Sequence, residues 1–371
     1  GVIHNDPEVV SKIVASQAHH KKIDGHAPGL QGKDLDTYVA AGVYSDHECA
    51  TLEDALAKLQ RGQFIMIREG TAARNLEALV PLLTPQYAER CMFCTDDKHP
   101  SDLLEKGHID YIAREAINKY GVDPIIAVKA ACHHASRYFL LNNRGAIAPG
   151  YLADFAVIDN FKDFNVEMVF KKGVLYWNNG ELRDFDAPQI EEYLDKRAHD
   201  TFHVATLTPD DFRDTRQRGV LGMVPGEIIT TDNGYADHVD LEKDILKIAV
   251  VERHKGTHHI GLGYIQGYGL RSGAVATSIS HDSHNIIVVG TNSADMAFAA
   301  NYIVEHHGGI VVVENGVVKG SVVLEIAGIM SDRPLTEVND QLEAAKDAAF
   351  TLGVSRGIDP FMTLSFMALP V

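Results

Sequence analysis

KIDGHAPGLQGKDLDTYVAAGVYSDHE, residues 22–48, holds two copies of one pattern. A short run ends on a histidine (Lys22-Ile23-Asp24-Gly25-His26), a helix-period segment follows over Leu35–Ala41, and a second run, Val43-Tyr44-Ser45-Asp46-His47-Glu48, ends on another. Gly42 closes the helical segment, as expected of a residue that enters the left-handed region without strain. The pattern continues downstream. Phe64–Glu69 is an apolar run with a helix expected through Ala72–Leu79, and Cys91–Asp96 is another with a helix over Ile109–Lys119. His26, His47 and Arg68 recur at intervals of 21 residues, and Asp96 follows 28 later. Those intervals suit one strand–helix unit. Parallel strands that each end on a His, Arg or Asp describe the C-terminal half of a (β/α)8 TIM barrel with its active-site rim. Four strands cannot close a barrel, so the other four are expected ahead of Gly1.

The period changes after a helix over Pro124–Leu141. Gly145–Asp159, GAIAPGYLADFAVID, reads as short strands joined by Pro-Gly and Gly turns, and the pattern continues to Gly173–Trp177. From about Asp200 an α/β pattern takes over. Its strands are expected at Ile248–Val251, Ile286–Val289, Ile310–Val313 and Val317–Val323, with a helix over Asp295–Glu305. The expected fold is therefore α/β: an incomplete TIM barrel over 1–144, a small composite β-sandwich module over 145–199, and a C-terminal α/β domain over 200–371.

Bulk properties narrow the function. The net charge of −17 disfavours nucleic acid in the absence of a local basic stripe, and none is visible. Four cysteines in 371 residues make no disulfide framework, and the lone Cys91-x-x-Cys94 lacks the second pair of a zinc ribbon, so core thiols are the expectation. The apolar runs are strand-length, which excludes a membrane span and points to the cytoplasm. Gly261–Gly267 spells G-x-G-x-x-x-G, one residue longer than the dinucleotide fingerprint, and Arg271 and Gly273 break any following helix.

Two histidines on adjacent parallel strand ends can reach one ion, because neighbouring strands lie only about 4.8 Å apart. His26 and His47 are the metal-ligand candidates, and imidazole suits zinc, manganese or iron. Asp96 can join them as a ligand and also serve as the catalytic base. Alternation turns Asp97 away. Glu48, Arg68 and Glu69 are candidate substrate contacts; Asp46 is weighed as a supporting group. His99 and His108 are expected at the surface or as helix caps. His281 and His284, in the loop before Ile286, are further candidates for lining the substrate pocket.

Taken together, IDGHAPGL, SDHE, MIREGTAARNLEAL, CTDDKHP, GHIDYIAREAI and GAIAPGYLADFAVID resemble the adenine deaminase family of the amidohydrolase superfamily. YGLRSGAVATSISHDSHNIIVVGTNSADM, IAGIMSD and PFMTLSFMALPV resemble its C-terminal domain. The resemblance implies hydrolytic deamination of adenine to hypoxanthine and ammonia in purine salvage. It implies a divalent metal centre, binuclear manganese or iron with zinc as the alternative, whose hydroxide attacks C6. His26 would follow strand five of the complete barrel, His47 strand six and Asp96 strand eight. The family's first-strand His-x-His pair and the glutamate expected just before Gly1-Val2-Ile3 are absent from this sequence. Either those residues belong to a longer chain, or a separate N-terminal segment supplies them; alone, the chain is expected to hold one ion weakly and not to turn over adenine. A homo-oligomer, most simply a dimer, is expected. Cyclic-amide or N-acetyl hydrolysis on the same scaffold, or an inactive fragment, are the competing readings.

Overall fold

The computed structural model describes residues 1–185, 188–214, 216–224 and 230–369; Pro370 and Val371, which end the last quoted motif, lie outside them. The chain divides into two compact units, Gly1–Ala187 and Pro188–Val371.

In the first unit, four strands form a parallel sheet in the order β1 (Asp24–Gly25), β2 (Ser45–Asp46), β3 (Phe64–Arg68), β4 (Cys91–Cys94). Helices Gly32–Ala40 and Leu52–Gln60 occupy the first two connections as the repeat predicts. In the second of these, Leu52, Ala55, Leu56 and Leu59 form the apolar stripe, and the Thr51 side chain caps the start by accepting from the Asp54 amide at 3.2 Å. Ile65, Ile67, Leu76, Leu79, Cys91, Phe93, Ile112 and Ala116 fill the core beneath.

Among the elements shorter than their sequence pattern, two have a clear local cause. β2 stops after Asp46, because that carboxylate takes the backbone amides of Ala27 and Glu48 and draws the chain out of the ladder. The helix expected from Ala72 begins only at Leu76. Residues 70–75 instead fold back on β3: the Gly70 amide donates to the Ala73 carbonyl, and the Asn75 amide to the Arg68 carbonyl. The Pro124 helix is helical over Pro124–Tyr138, with a wider π turn at Lys129–His133.

The strands β5 (Phe155–Ile158), β6 (Val166–Lys171), β7 (Val174–Asn178) and β8 (Glu181–Leu182) make a four-stranded antiparallel meander. Phe164 and Ile158 anchor it on the core of the parallel sheet.

The second unit is built on eight strands: β9 (Arg218–Met223), β10 (Thr230–Ala236), β11 (Ile245–Val251), β12 (Ile260–Gln266), β13 (Ala274–Thr277), β14 (Ile286–Gly290), β15 (Gly309–Glu314) and β16 (Val317–Val323). They lie in the order β10-β9-β12-β11-β14-β13-β15-β16, antiparallel except where β12 meets β9. Alternation is strict. Leu246, Ile248, Val275, Ile287, Val289, Ile310 and Val312 face a core shared with helices Leu335–Thr351 and Pro360–Phe366. Ala249, Val251, Ala274, Ala276, Ile286, Val288, Val311 and Val313 face helix Ser293–Glu305. With both faces covered, the central strands are apolar throughout, which is why Ile286–Val289 reads as an unbroken apolar run. Gly261–Gly267 falls in and just beyond β12, ahead of no helix.

Candidate metal centre

All four strands of the parallel sheet end on one edge, and each delivers a charged or imidazole side chain there. His26 follows β1 directly, His47 follows β2, Arg68 is the last residue of β3, and Asp96 lies two residues past β4. The His26 and His47 rings stack with centroids 5.7 Å apart and planes 21° from parallel. Glu48 lies against both: its Oε2 is 3.2 Å from His26 Nδ1 and its Oε1 is 4.0 Å from His47 Nε2. On the other side, Asp96 Oδ2 is 3.7 Å from His47 Nε2. Arg68 forms the floor, buried, with Nη1 2.8 Å from Asp96 Oδ2 and 3.6 Å from Glu48 Oε1 and Nε donating to Asn75 Oδ1 at 3.3 Å.

The backbone is shaped to bring these ends together. Asp96 sits in the left-handed region (φ 55°), which Asp tolerates better than most side chains. Gly70 is where the exits from β3 and β4 cross; a Cβ there would stand 2.6 Å from the Thr95 carbonyl oxygen and 2.7 Å from that of Asp97. No larger residue fits that crossing.

Charge follows from the contacts. The hydrogen bond from His26 holds the Glu48 carboxyl below its usual range against the opposing effect of burial, with His26, Arg68 and His47 adding favourable charge. Glu48 is therefore an anion near neutral pH. Among the described residues, His26, His47 and Glu48 offer ligand atoms that all lie within 4.8 Å of one another. Two imidazoles and a carboxylate, with the Asp96 carboxylate alongside, are a donor set that fits a divalent first-row cation. Burial pushes the Cys91 and Cys94 thiols up to about 12, and neither is among the grouped ligand atoms.

The remaining candidates are not among the grouped ligand atoms. Glu69 folds back and accepts from the Leu76 amide at 3.2 Å, acting at the start of that helix, while burial raises its carboxyl above the ordinary value. His99, expected at the surface or as a cap, is buried at the start of helix Pro100–Glu105, its amide donating to Thr71 Oγ1. His108 is exposed, with Nε2 3.1 Å from Thr95 Oγ1. His281 and His284 belong to the second unit, in the loop between β13 and β14, where His281 stacks on Phe366 with ring centroids 4.6 Å apart.

Sequence reasoning passed over two residues that support these ends. Asp24 Oδ1 accepts from Ser45 Oγ at 2.6 Å and from the Tyr138 hydroxyl, tying β1 to β2. Lys58 is fully buried beneath the loops that carry His26 and His47. A signal for it existed: Asp54 and Lys58 stand four apart on a helix, alongside the Ala55–Leu59 stripe that faces the core.

Comparison with known proteins matches residues 1–176 to the amidohydrolase family and residues 226–371 to the adenine deaminase C-terminal domain. An adenine deaminase of Desulfatibacillum aliphaticivorans is 44% identical over 385 aligned residues, covering 100% of this chain and 66% of that protein. One from Nitratidesulfovibrio vulgaris (strain DP4) is 42% identical, with 100% of this chain and 65% of that protein covered. Adenine deaminase 2 of Carboxydothermus hydrogenoformans is 41% identical, with 100% and 66% covered. The chain thus spans about two thirds of the length of these relatives. With both regions matched and identity above 40% along its whole length, the chain belongs to the adenine deaminase family of amidohydrolases.

Proposed function

We propose that the intact protein is a metal-dependent adenine deaminase, in which this chain supplies one side of the metal centre and the catalytic carboxylate. The observation that carries the reading is the convergence of His26, His47, Glu48 and Asp96 at one strand edge. His26 and His47 would hold a divalent cation, with Asp96 beside them; manganese or iron is the proposed identity, and a second ion is proposed to complete the site with upstream ligands. When bound, such a cation supplies a water acidic enough to lose its proton near neutral pH.

The chain's own groups do the rest. Glu48 fixes the His26 ring through Nδ1, which leaves Nε2 for the ion, and its partly exposed carboxylate is positioned to meet the substrate. Arg68, 2.8 Å from Asp96 Oδ2, holds that carboxylate beside His47. Asp96 accepts the water's proton as oxygen adds to C6 of adenine. It returns a proton to the exocyclic nitrogen as the carbon–nitrogen bond breaks, so that adenine and water give hypoxanthine and ammonia. Glu69, His281 and His284 remain proposed substrate contacts.

The same reading places β1–β4 as half of a TIM barrel and β5–β8 as one layer of a composite sandwich, within modules 1–144, 145–199 and 200–371. A cytoplasmic homodimer acting on a free purine base is the proposed setting. Among the described residues, no helix is long and apolar enough to cross a membrane.

The decisive experiment is Asp96→Asn in the full-length protein, followed by the ultraviolet change from adenine to hypoxanthine. A loss of kcat of about a hundredfold or more is expected, at the lower end of what general acid–base groups contribute. A rate within about threefold of the parent rejects Asp96 as the base. Dihydropyrimidines and N-acetyl sugars, tested alongside adenine, are expected to give no turnover.

A further inference from the structure

Beneath the metal-binding edge lies a group that the mechanism above does not use. Lys58, on helix Leu52–Gln60, is 0% exposed. Its Nζ is 2.8 Å from Asp46 Oδ2, 2.9 Å from Asp54 Oδ2 and 3.5 Å from Cys49 Sγ. Asp46 is also 0% exposed, and both of its oxygens are engaged. Oδ2 accepts from the Ala27 amide at 2.9 Å as well as facing Lys58, and Oδ1 accepts from the Glu48 amide at 2.6 Å. Asp54 Oδ2 also faces the Gly29 amide, at 3.4 Å. A single ammonium thus reaches, through two carboxylates, the backbone just after His26 and the backbone just after His47.

We propose that Lys58 and Asp46 form a positioning pair that sets the separation of His26 and His47, an inference that rests on the reading of those histidines as metal ligands. The argument is one of valence. A buried ion pair is a poor source of stability, since an apolar pair of equal volume fills the space without desolvating two charges. What a carboxylate offers here is two oxygens that each receive a different loop amide. Lys58, 2.8 Å from Oδ2, is the cation that compensates its burial. Burial opposes the Lys58 charge, but the hydrogen bond and charge of Asp46 outweigh it and hold the lysine pKa above its ordinary value. Without Lys58, Asp46 Oδ2 loses the ammonium that faces it, and the buried carboxylate no longer holds the Ala27 and Glu48 amides in one fixed arrangement.

The test uses Lys58→Met and Asp46→Asn in this chain, with Leu59→Ala as a core control on the same helix. Zinc binding is measured by competition with a chromophoric chelator, thermal unfolding is followed in parallel, and hydrogen–deuterium exchange is read over residues 26–30 and 46–50. Both variants are expected to bind zinc about 10- to 100-fold more weakly, the range typical of groups that orient metal ligands. Exchange at the Ala27 and Glu48 amides should rise at least about tenfold, an effect of the order of one lost hydrogen bond. Leu59→Ala should lower the unfolding temperature while leaving affinity and those amides unchanged. The proposal is overturned if the folded variants bind zinc like the parent, or if Leu59→Ala lowers affinity equally. Should Lys58→Met fail to fold, Asp46→Asn decides by the same criteria. Should the parent chain bind no zinc, the metal reading fails on its own, and exchange still decides: unchanged protection at Ala27 and Glu48 rejects the positioning pair.

Discussion

Lys58 in the first unit and Arg253 in the second are the most deeply buried cations among the described residues, and the two are held in opposite ways. In the first unit, Lys58 lies between two carboxylates, Asp46 and Asp54, both buried. In the second, Arg253 is 2% exposed and its donors go to neutral oxygens. Nε donates to the His284 carbonyl at 2.5 Å, Nη1 to the Thr201 carbonyl and hydroxyl at 2.9 and 3.0 Å, and Nη2 to the Ala327 carbonyl at 2.9 Å. The Phe202 ring covers one face of the guanidinium, 4.3 Å away. Burial pulls the arginine down to about 10, whereas Asp46 more than reverses that effect on the lysine. The planar fork of arginine can tie three chain segments through carbonyls alone. Lys58, a point charge, is held by two carboxylates, and those in turn take backbone amides. One cation fastens loops by their carbonyls, the other by their N–H groups.

The largest effect that distinguishes the two is expected from Lys58→Met. It leaves buried carboxylates uncompensated, and breaking such a pair typically costs about 3–5 kcal/mol. The only tryptophan, Trp177, lies on β7 in the first unit, so its fluorescence during urea unfolding reports on that unit. A shift below about 1 kcal/mol would show that water reaches the pair and that it is not buried in solution.

Arg253→Met should cost less, about 2 kcal/mol, because it strands neutral carbonyls rather than charges. The measurement is exchange of the β13 and β14 amides in the second unit, with the Trp177 transition expected to stay in place. If Arg253→Met proves more damaging than Lys58→Met, the contrast between charged and neutral anchoring is wrong.

How much of this was legible depends on distance along the chain. The 21-residue recurrence of His26, His47 and Arg68 exposed the parallel sheet, because each unit's strand and helix are adjacent in sequence. The convergence at the edge was legible for the same reason: strand ends in a parallel sheet share a side. Glu48 was legible as a site residue, but not as the group bridging two imidazoles, since that depends on the side-chain direction after β2. Lys58 was missed because its partners, Asp46 and Asp54, meet it only once the helix has packed. In the second unit β13, Ala-Val-Ala-Thr, is too short and too evenly apolar to show a period, and its neighbours β14 and β15 lie outside it in sequence order on one side only. Helix Leu335–Thr351 did carry a readable stripe, Val338, Leu342, Ala345 and Ala349, at helical spacing.

A smaller effect separates the lysine from the helix that carries it. Thr51→Ala removes the cap on the Asp54 amide, which should cost about 1 kcal/mol. It leaves Lys58, Asp46 and Asp54 in place. Zinc affinity at His26 and His47 should therefore stay within about twofold of the parent while the Trp177 transition shifts. A loss of affinity as large as that of Lys58→Met would move the positioning role from the ion pair to the helix as a whole.

The smallest effect concerns a carboxylate whose cationic partners reach solvent. Asp154, before β5, accepts from the Lys172 amide at 2.7 Å and pairs with Arg144 at 2.8 Å and Lys171 at 3.4 Å. The backbone hydrogen bond from Lys172 comes first, then Arg144, and together they hold its pKa at about 2. A carboxyl whose folded pKa lies below its unfolded value of about 3.9 contributes stability above that value and loses it as pH falls through the folded one. Asp154→Asn should therefore loosen the β5–β7 meander slightly at neutral pH, and the difference from the parent should vanish between about pH 4 and pH 2. Proteolysis of the 145–185 segment across that pH range, with an acid-stable protease, reads it directly. A variant indistinguishable from the parent at pH 7 would mean that solvent already screens Arg144 and Lys171, as it does for most exposed pairs. The contrast drawn from Lys58 and Arg253 would then hold only for cations that water cannot reach.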